Sequence, residues 1–384
     1  MFKIKSTTLS TGLAMFSMFF GAGNITFPLI IGQVVEGGLL WALIGLIITA
    51  VLVPFSGLFA ITLFKGSYET FFNRIGKTPG LVVAVILLAI LGPFGAVPRC
   101  VTLTYSTLNL YFTDLHLLSF SAVSCALIFF CSWKKSRIVD LMGYILSPLL
   151  VLFLFVIIIK GSIFSASIPL GESHVTHPFL YGLKEGYNTM DLLAAFFFSS
   201  LIYHRLKQQS RQEHEHKDLL LPVLKASIIG ASLLGIIYIG FSYVAAHQSE
   251  ALQNTPIDQL LGRVGALVLG HHAGLIVSFS IALTCLTTAI ALTVISAEFL
   301  QKRLSNGRLS YEWSLAFILI TTVAVSALKF QGIVELLSPV LQVLYPALLV
   351  LCLCNIMHKL FHFKPIKVPV YFMFVLMLYI QYFS

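Results

Sequence analysis

Charge is scarce in this chain: only 10% of its 384 residues are Asp, Glu, Lys or Arg, while 58% are hydrophobic and the mean hydropathy is +0.94. A soluble globular domain carries about a quarter charged residues, so that class is excluded. Catalytic signatures are missing too. No HExxH is present, the histidines mostly lie in loops, and no apolar run pairs Ser or Cys with His at catalytic spacing, which argues against an enzyme. Cys100, Cys125, Cys131, Cys285, Cys352 and Cys354 form no CxxC pair and have no His at metal spacing. They read as structural thiols. His214, Glu215 and His216 sit in a charged run at 211–217 and read as a solvated loop with no assigned role. The net charge of +9 is carried by loops between apolar runs, so it indicates contact with anionic lipid headgroups and membrane orientation, not nucleic acid.

What the chain has in abundance is apolar length. Runs long enough to cross a core of about 30 Å occur near 8–31, 36–63, 80–109, 116–132, 138–160, 179–204, 219–246, 272–299, 311–328, 332–357 and 366–384. That pattern predicts an all-α polytopic membrane protein with about 11 transmembrane helices. The positive-inside rule tests the count separately. Of the 24 Lys and Arg residues, 19 fall in alternate loops, at positions 3–5, 65–77, 134–137, 205–225, 302–308 and 359–367. Lys160, Lys184, Arg263 and Lys329 fall on the other side. The N-terminus is therefore expected to be cytoplasmic and, with an odd number of spans, the C-terminus outside. Residues 9–30 are too long for a signal peptide and lack a small-residue cleavage site before the next span, so they count as a span.

The first span contains Gly21-Ala22-Gly23-Asn24 in its middle and Pro28 one turn later. Two glycines, an amide and a proline disfavour an unbroken helix, and the bilayer core offers no water to freed backbone groups. Irregular backbone at that depth faces protein or a cavity. Secondary transporters use such breaks to aim helix N-termini at anionic substrate groups and carbonyls at coupling cations. A small-residue packing seam would also need the glycines, but it would not need Asn24.

A second break is expected in span six, where Lys184-Glu185-Gly186-Tyr187-Asn188-Thr189-Met190-Asp191 precedes the apolar run from Leu192. The alternative is an outer loop over 184–189 with Asp191 capping the following helix. Breaks in spans one and six are the pattern of a 5+5 inverted repeat, because an odd number of spans per copy inverts the second copy. On that reading, 1–384 is one transporter domain, with a first repeat at 8–160, a second at 179–357 and an extra C-terminal helix at 366–384. Thr284, Thr287 and Thr288 share one face of span eight and could supply hydroxyls to a hard cation, although membrane threonines more often bond their own helix. Arg99, in the middle of span three, costs roughly 2.5 to 3.5 kcal/mol to insert at a helix centre and so needs a partner or a water-filled path. A gate, a contact to a substrate carboxylate and structural pairing all remain open, with structural pairing to a carboxylate or to broken-helix carbonyls preferred. Glu298 and Glu335 lie nearer helix ends and read as interfacial.

Five ordered motifs carry a family resemblance: FSMFFGAGNITFP at 16–28, Gly92-Pro93 through Pro98-Arg99, 185–191, Cys285-Leu286-Thr287-Thr288-Ala289, and Leu344-Tyr345-Pro346. Over about residues 8–357 the chain resembles the bacterial branched-chain amino acid transporters of the LIVCS family, BrnQ type, and more distantly the leucine-transporter (APC-type) fold. The resemblance implies cation-coupled symport, with sodium as the coupling ion, of leucine, isoleucine and valine across the inner membrane, and no other cofactor. It places the substrate at Gly21, Ala22 and Gly23, with the carboxylate near the amides of Ala22 and Gly23, and at Tyr187, Asn188 and Thr189. It places sodium at Asn24 and at Ser17, Phe20, Thr284, Thr287 and Thr288. Arg99, Glu185 and Asp191 are the intramembrane charges expected to act in gating. Cys100 and Ser106 depart from the Thr and Glu usual in the family, so the resemblance does not carry a polar role over to that face of span three. The chain ends at Ser384, in or just after an eleventh span, where the family usually has twelve. Proton coupling through Asp191 or Glu185 within the same fold, and an uncoupled channel or sensor, are the competing expectations.

Overall fold

A computed structural model describes residues 6–35, 37–133, 147–163, 175–212 and 219–383. Residues 134–146, which open the predicted fifth span, and 213–218, with His214, Glu215 and His216, lie outside these. The described residues are helical throughout, apart from turns and short links. Among the described residues five helices are long and apolar enough to cross a membrane: Leu39–Leu63, Lys77–Asn109, Leu220–His247, Gly274–Leu304 and Lys329–Phe361. A sixth span results if the bent pair Thr8–Phe19 and Ala22–Val34 is counted as one. Shorter apolar helices lie at Leu117–Trp133, Val151–Ile163, Asp191–His204, Tyr311–Ser326 and Lys367–Phe383. Large side chains point outward from many of these helices, among them Phe130, Trp313, Ile320 and Phe372. An apolar exterior around a packed interior is how a chain lies in lipid.

In chain order the longer helices are α1 (Ser6–Phe19), α2 (Ala22–Val34), α3 (Leu39–Leu63, with a π turn at Ile48–Leu52), α4 (Lys77–Leu91) and α5 (Ala96–Asn109). Then follow α6 (Leu117–Trp133), α7 (Ser147–Ile163), α8 (Pro178–Asn188), α9 (Asp191–Gln212) and α10 (Leu220–His247). The last are α11 (Leu260–Leu269), α12 (His271–Phe299), α13 (Tyr311–Ser326), α14 (Lys329–Phe361) and α15 (Lys367–Phe383).

Three of these junctions are breaks within apolar runs. The α1 and α2 axes differ by 73° across Phe20 and Gly21. Gly21 is extended (φ −125°, ψ −161°), and its N–H donates to Asn24 Oδ1 at 2.9 Å. The asparagine thus caps the helix it opens. Between α8 and α9 the break is shorter than the sequence suggests. Lys184 through Asn188 remain helical, and the turn is made at Thr189 and Met190, where Met190 takes φ +63°. The outer-loop alternative for 184–189 is therefore not what forms. The third break, at 92–95, divides a run that the hydropathy pattern treats as continuous. Gly92 and Gly95 flank Pro93, and Arg99 lies in the first turn of α5 with its N–H on the Gly95 carbonyl at 2.9 Å.

The breaks are held by close backbone packing. A Cβ on Gly23 would lie 2.9 Å from the Thr189 Cα, so the two broken segments touch directly. Helix α8 lies against α3 along glycines: a Cβ on Gly182 would stand 1.9 Å from the Ala42 carbonyl oxygen, and one on Gly186 1.8 Å from the Thr49 hydroxyl. Small residues allow helices to approach this closely in a membrane, where packing replaces the hydrophobic effect as the driving force.

Candidate substrate and cation site

The centre of the molecule is where the α1–α2 and α8–α9 breaks meet α5, α10 and α12. Asn24, Arg99, Asn188, Thr189, Asp191 and Thr288 are all buried here, Arg99 completely. Asn24 Nδ2 donates to Asp191 Oδ2 at 2.6 Å and also to the Tyr238 hydroxyl, which itself donates to Asp191 Oδ2 at 3.1 Å. The Thr189 hydroxyl donates to the Gly186 carbonyl at 2.8 Å. Asp191 therefore sits among neutral donors, and among the described residues it forms no ion pair.

Arg99 reaches across from α5. Its Nη1 donates to the Asn188 carbonyl at 2.8 Å, satisfying a group freed at the end of α8, and its guanidinium carbon lies 5.8 Å from the centre of the Phe27 ring. Nε and Nη2 of the same side chain are buried without a partner, as is Asn188 Oδ1. Glu185 accepts from Asn188 Nδ2 at 3.2 Å and from the Tyr181 hydroxyl, and lies near Arg99 without pairing with it. The side chains of Arg99, Asn24, Asp191 and Thr189 line a cavity of about 30 Å³, together with Gly21, Ala22 and Gly23 of the first break. Beyond this polar end, Met18, Phe19, Ala194 and Phe198 continue the wall, with Phe19 and Phe198 edge to face at 5.8 Å.

The threonine face of α12 is divided. The Thr288 hydroxyl lies 3.4 Å from the Phe20 carbonyl, the last carbonyl before the α2 cap, and its methyl group abuts Gly21. Thr284 and Thr287 instead donate to the Ser280 and Thr284 carbonyls of their own helix, at 2.8 and 2.7 Å. That is the default for a hydroxyl inside a membrane helix. Ser17 lies on α1 one turn before Phe20 and is half-buried. Tyr187 stacks on Tyr345 with ring centres 4.6 Å apart. Tyr345, in turn, donates to the Thr49 carbonyl at 2.8 Å and accepts the Leu192 N–H at 3.2 Å, joining the π turn of α3 to the start of α9.

Tyr238 and Thr49 were not among the site residues expected from sequence. Tyr238 gives a faint signal, being a hydroxyl within the apolar stretch Gly235-Ile236-Ile237-Tyr238-Ile239-Gly240. Thr49 gives none. All six cysteines are free thiols, and among the described residues no group of three His, Cys, Asp or Glu could hold a metal ion.

Comparison with known proteins settles the family. The profile of the family described as "Branched-chain amino acid transport protein" matches residues 4–382. The chain belongs to this family. It is 30% identical over 363 residues to the branched-chain amino acid permease BrnQ of Corynebacterium glutamicum, covering 93% of this chain and 82% of that protein. It is 28% identical over 371 residues to the BrnQ permease of Bacillus subtilis, covering 92% and 81%. These relatives are named as permeases, so the family is one of transporters and not of enzymes, and this member is an integral membrane protein. Among solved structures, the inward-facing conformation of Mhp1 superposes with a TM-score of 0.63 at 11% identity, covering 92% of this chain and 77% of that one. A manganese transporter from Eremococcus coleocola gives 0.60 at 14% identity, covering 97% and 85%. The fold is thus of the leucine-transporter type.

Proposed function

We propose that this chain is a cation-coupled symporter, using sodium, that imports leucine, isoleucine and valine across a bacterial cytoplasmic membrane by alternating access. The observation that carries this reading is the meeting of two broken helices around one buried polar cluster, in a member of a branched-chain amino acid transport family. Ala22 and Gly23, in the first turn of α2, line the cavity, and their N–H groups have no carbonyl partner within the helix, so a carboxylate suits them there. Gly21, Tyr187, Asn188 and Thr189 complete the substrate walls. Thr288, the Phe20 carbonyl and Asn24 are the nearest oxygen donors for sodium, with Ser17, Thr284 and Thr287 joining after side-chain rotation. Arg99, Glu185 and Asp191 are the charges whose partners change through the cycle.

The same proposal includes eleven spans in one domain, a first repeat at 8–160, an inverted second at 179–357 and an extra helix at 366–384. It places the N-terminus in the cytoplasm and the C-terminus outside. One methylene is worth only about 1–3 kcal/mol of discrimination, so the three aliphatic amino acids compete for one pocket. One sodium ion entering down 100 mV releases about 2.3 kcal/mol, enough for a gradient of roughly fiftyfold before any sodium concentration difference.

Counterflow tests the substrate separately from the coupling ion. Proteoliposomes loaded with unlabelled leucine should exchange it for external labelled isoleucine, and external valine should block the exchange. Absence of exchange for all three amino acids would refute the substrate assignment.

A further inference from the structure

Arg99 and Asp191 are opposite charges, both at least nine-tenths buried, that line the same cavity and yet do not pair with each other. Arg99 spends one nitrogen on the Asn188 carbonyl and keeps Nε and Nη2 without any acceptor. Asp191 is held by two neutral donors, Asn24 and Tyr238, with no cation beside it among the described residues. Isolated buried charges of either sign are costly, and in membrane proteins they mark substrate or ion paths. Two held apart across a cavity of about 30 Å³ match the head group of a free amino acid, which carries both signs on adjacent atoms.

We infer that Arg99 and Asp191 form a two-charge clamp for the zwitterion, with the guanidinium binding the substrate carboxylate and the Asp191 carboxylate binding the ammonium. The clamp rests on the amino acid substrate proposed above, and it assigns the ammonium to a side chain. Arg99 acts together with the Ala22 and Gly23 amides, since Phe27, one turn along α2 from Gly23, lies under its guanidinium. A planar fork with two free nitrogens binds a carboxylate bidentately, which a lysine could not do. Asn24 and Tyr238 share Asp191 Oδ2 and so fix the carboxylate plane. Met18, Phe19, Ala194 and Phe198 are left for the aliphatic side chain, which needs more room than the polar end offers and enters as Phe19 and Phe198 part.

The test is competition against labelled leucine binding to purified protein, using unlabelled leucine, 3-methylbutylamine (no carboxylate) and 4-methylpentanoate (no ammonium). Wild type, Arg99→Lys, Arg99→Gln and Asp191→Asn are compared, each first checked for folding by its gel-filtration profile. Wild type should prefer leucine to either analogue by at least a hundredfold. Arg99→Gln should weaken leucine at least tenfold and lower its preference over the amine at least tenfold, leaving its preference over the acid nearly unchanged. Asp191→Asn should do the reverse, and Arg99→Lys should retain part of the discrimination.

If folded variants lose leucine affinity but keep wild-type discrimination against both analogues, the clamp is overturned and the two residues are structural. If Asp191→Asn alters only sodium dependence, the ammonium assignment is overturned. Should a variant fail to fold, the wild-type protein still decides: hundredfold discrimination against both analogues supports recognition of both charges, and its absence overturns it. Wild-type binding of other zwitterionic amino acids, with none of the branched-chain ones bound, would overturn the substrate reading and leave the clamp standing.

Discussion

The Asn24 side-chain amide donates to the Asp191 carboxylate at 2.6 Å, tying the break between α1 and α2 to the break between α8 and α9 across 167 positions of sequence. Because Asn24 also caps Gly21, any movement of α9 is felt at the cap of α2. Tyr238 closes the triangle from α10.

This triangle should behave as one unit. Asn24→Ala and Tyr238→Phe each remove one donor from a buried carboxylate, at a cost of about 1–3 kcal/mol. In a double-mutant cycle of thermal unfolding in detergent, the two should couple by about 0.5–3 kcal/mol. Additive losses would show that the hydrogen bonds act separately.

Tyr345→Phe should destabilise the protein by about 1–3 kcal/mol, because it leaves the Thr49 carbonyl and the Leu192 N–H buried without their shared partner. The ring itself, stacked on Tyr187, is kept. Thermal unfolding unchanged from wild type would mean that other groups take up both bonds.

Gly182→Ala should be costly, since its Cβ would sit 1.9 Å from the backbone oxygen of Ala42, which cannot rotate away. Overpacking of this kind costs about 1–3 kcal/mol. Gly235→Ala is the control, as its Cβ meets nothing closer than 3.7 Å. Comparable unfolding temperatures for the two variants would contradict the close α3–α8 approach.

Asp258 lies in the loop between α10 and α11, where burial pushes its carboxyl above the usual carboxylate range and the Ser106 hydroxyl, hydrogen-bonded to it, opposes the shift. A carboxyl raised on docking favours the docked loop when protonated. Docking should therefore be tightest below the ordinary Asp range and weaken as pH rises through the raised value. Hydrogen exchange at residues 255–261, followed from about pH 4 to pH 7 after correction for intrinsic rates, should show protection falling with pH; protection that rises with pH would contradict the assignment.

Gly21, Gly23, Asn24 and Pro28 disclose the first break because each disfavours a helix through its own backbone chemistry, whereas Gly186 and Asn188 signal the second only approximately, since both remain helical and the turn falls at Thr189 and Met190. What they join could not be read. The contacts of Asn24 with Asp191 and Tyr238 depend on how three helices pack, and nothing local to Tyr238 fixes its partner. Thr284, Thr287 and Thr288 share a face, as their spacing requires, but only Thr288 has a carbonyl of another helix within reach. Ser106 gains its meaning only from Asp258, 152 positions away, whose carboxylate its hydroxyl meets. A glutamate there would set two carboxylates against each other.

Sodium-coupled accumulation of branched-chain amino acids is tested by uptake of labelled isoleucine into proteoliposomes under an inward sodium gradient, a proton gradient or neither, with Thr288→Ala beside the wild type. The expected result is concentrative uptake that requires sodium, is blocked by leucine and valine, and needs at least severalfold more sodium in Thr288→Ala. Uptake driven by protons alone would contradict the sodium assignment and move the coupling to Asp191 or Glu185, and no accumulation under any gradient would contradict symport itself.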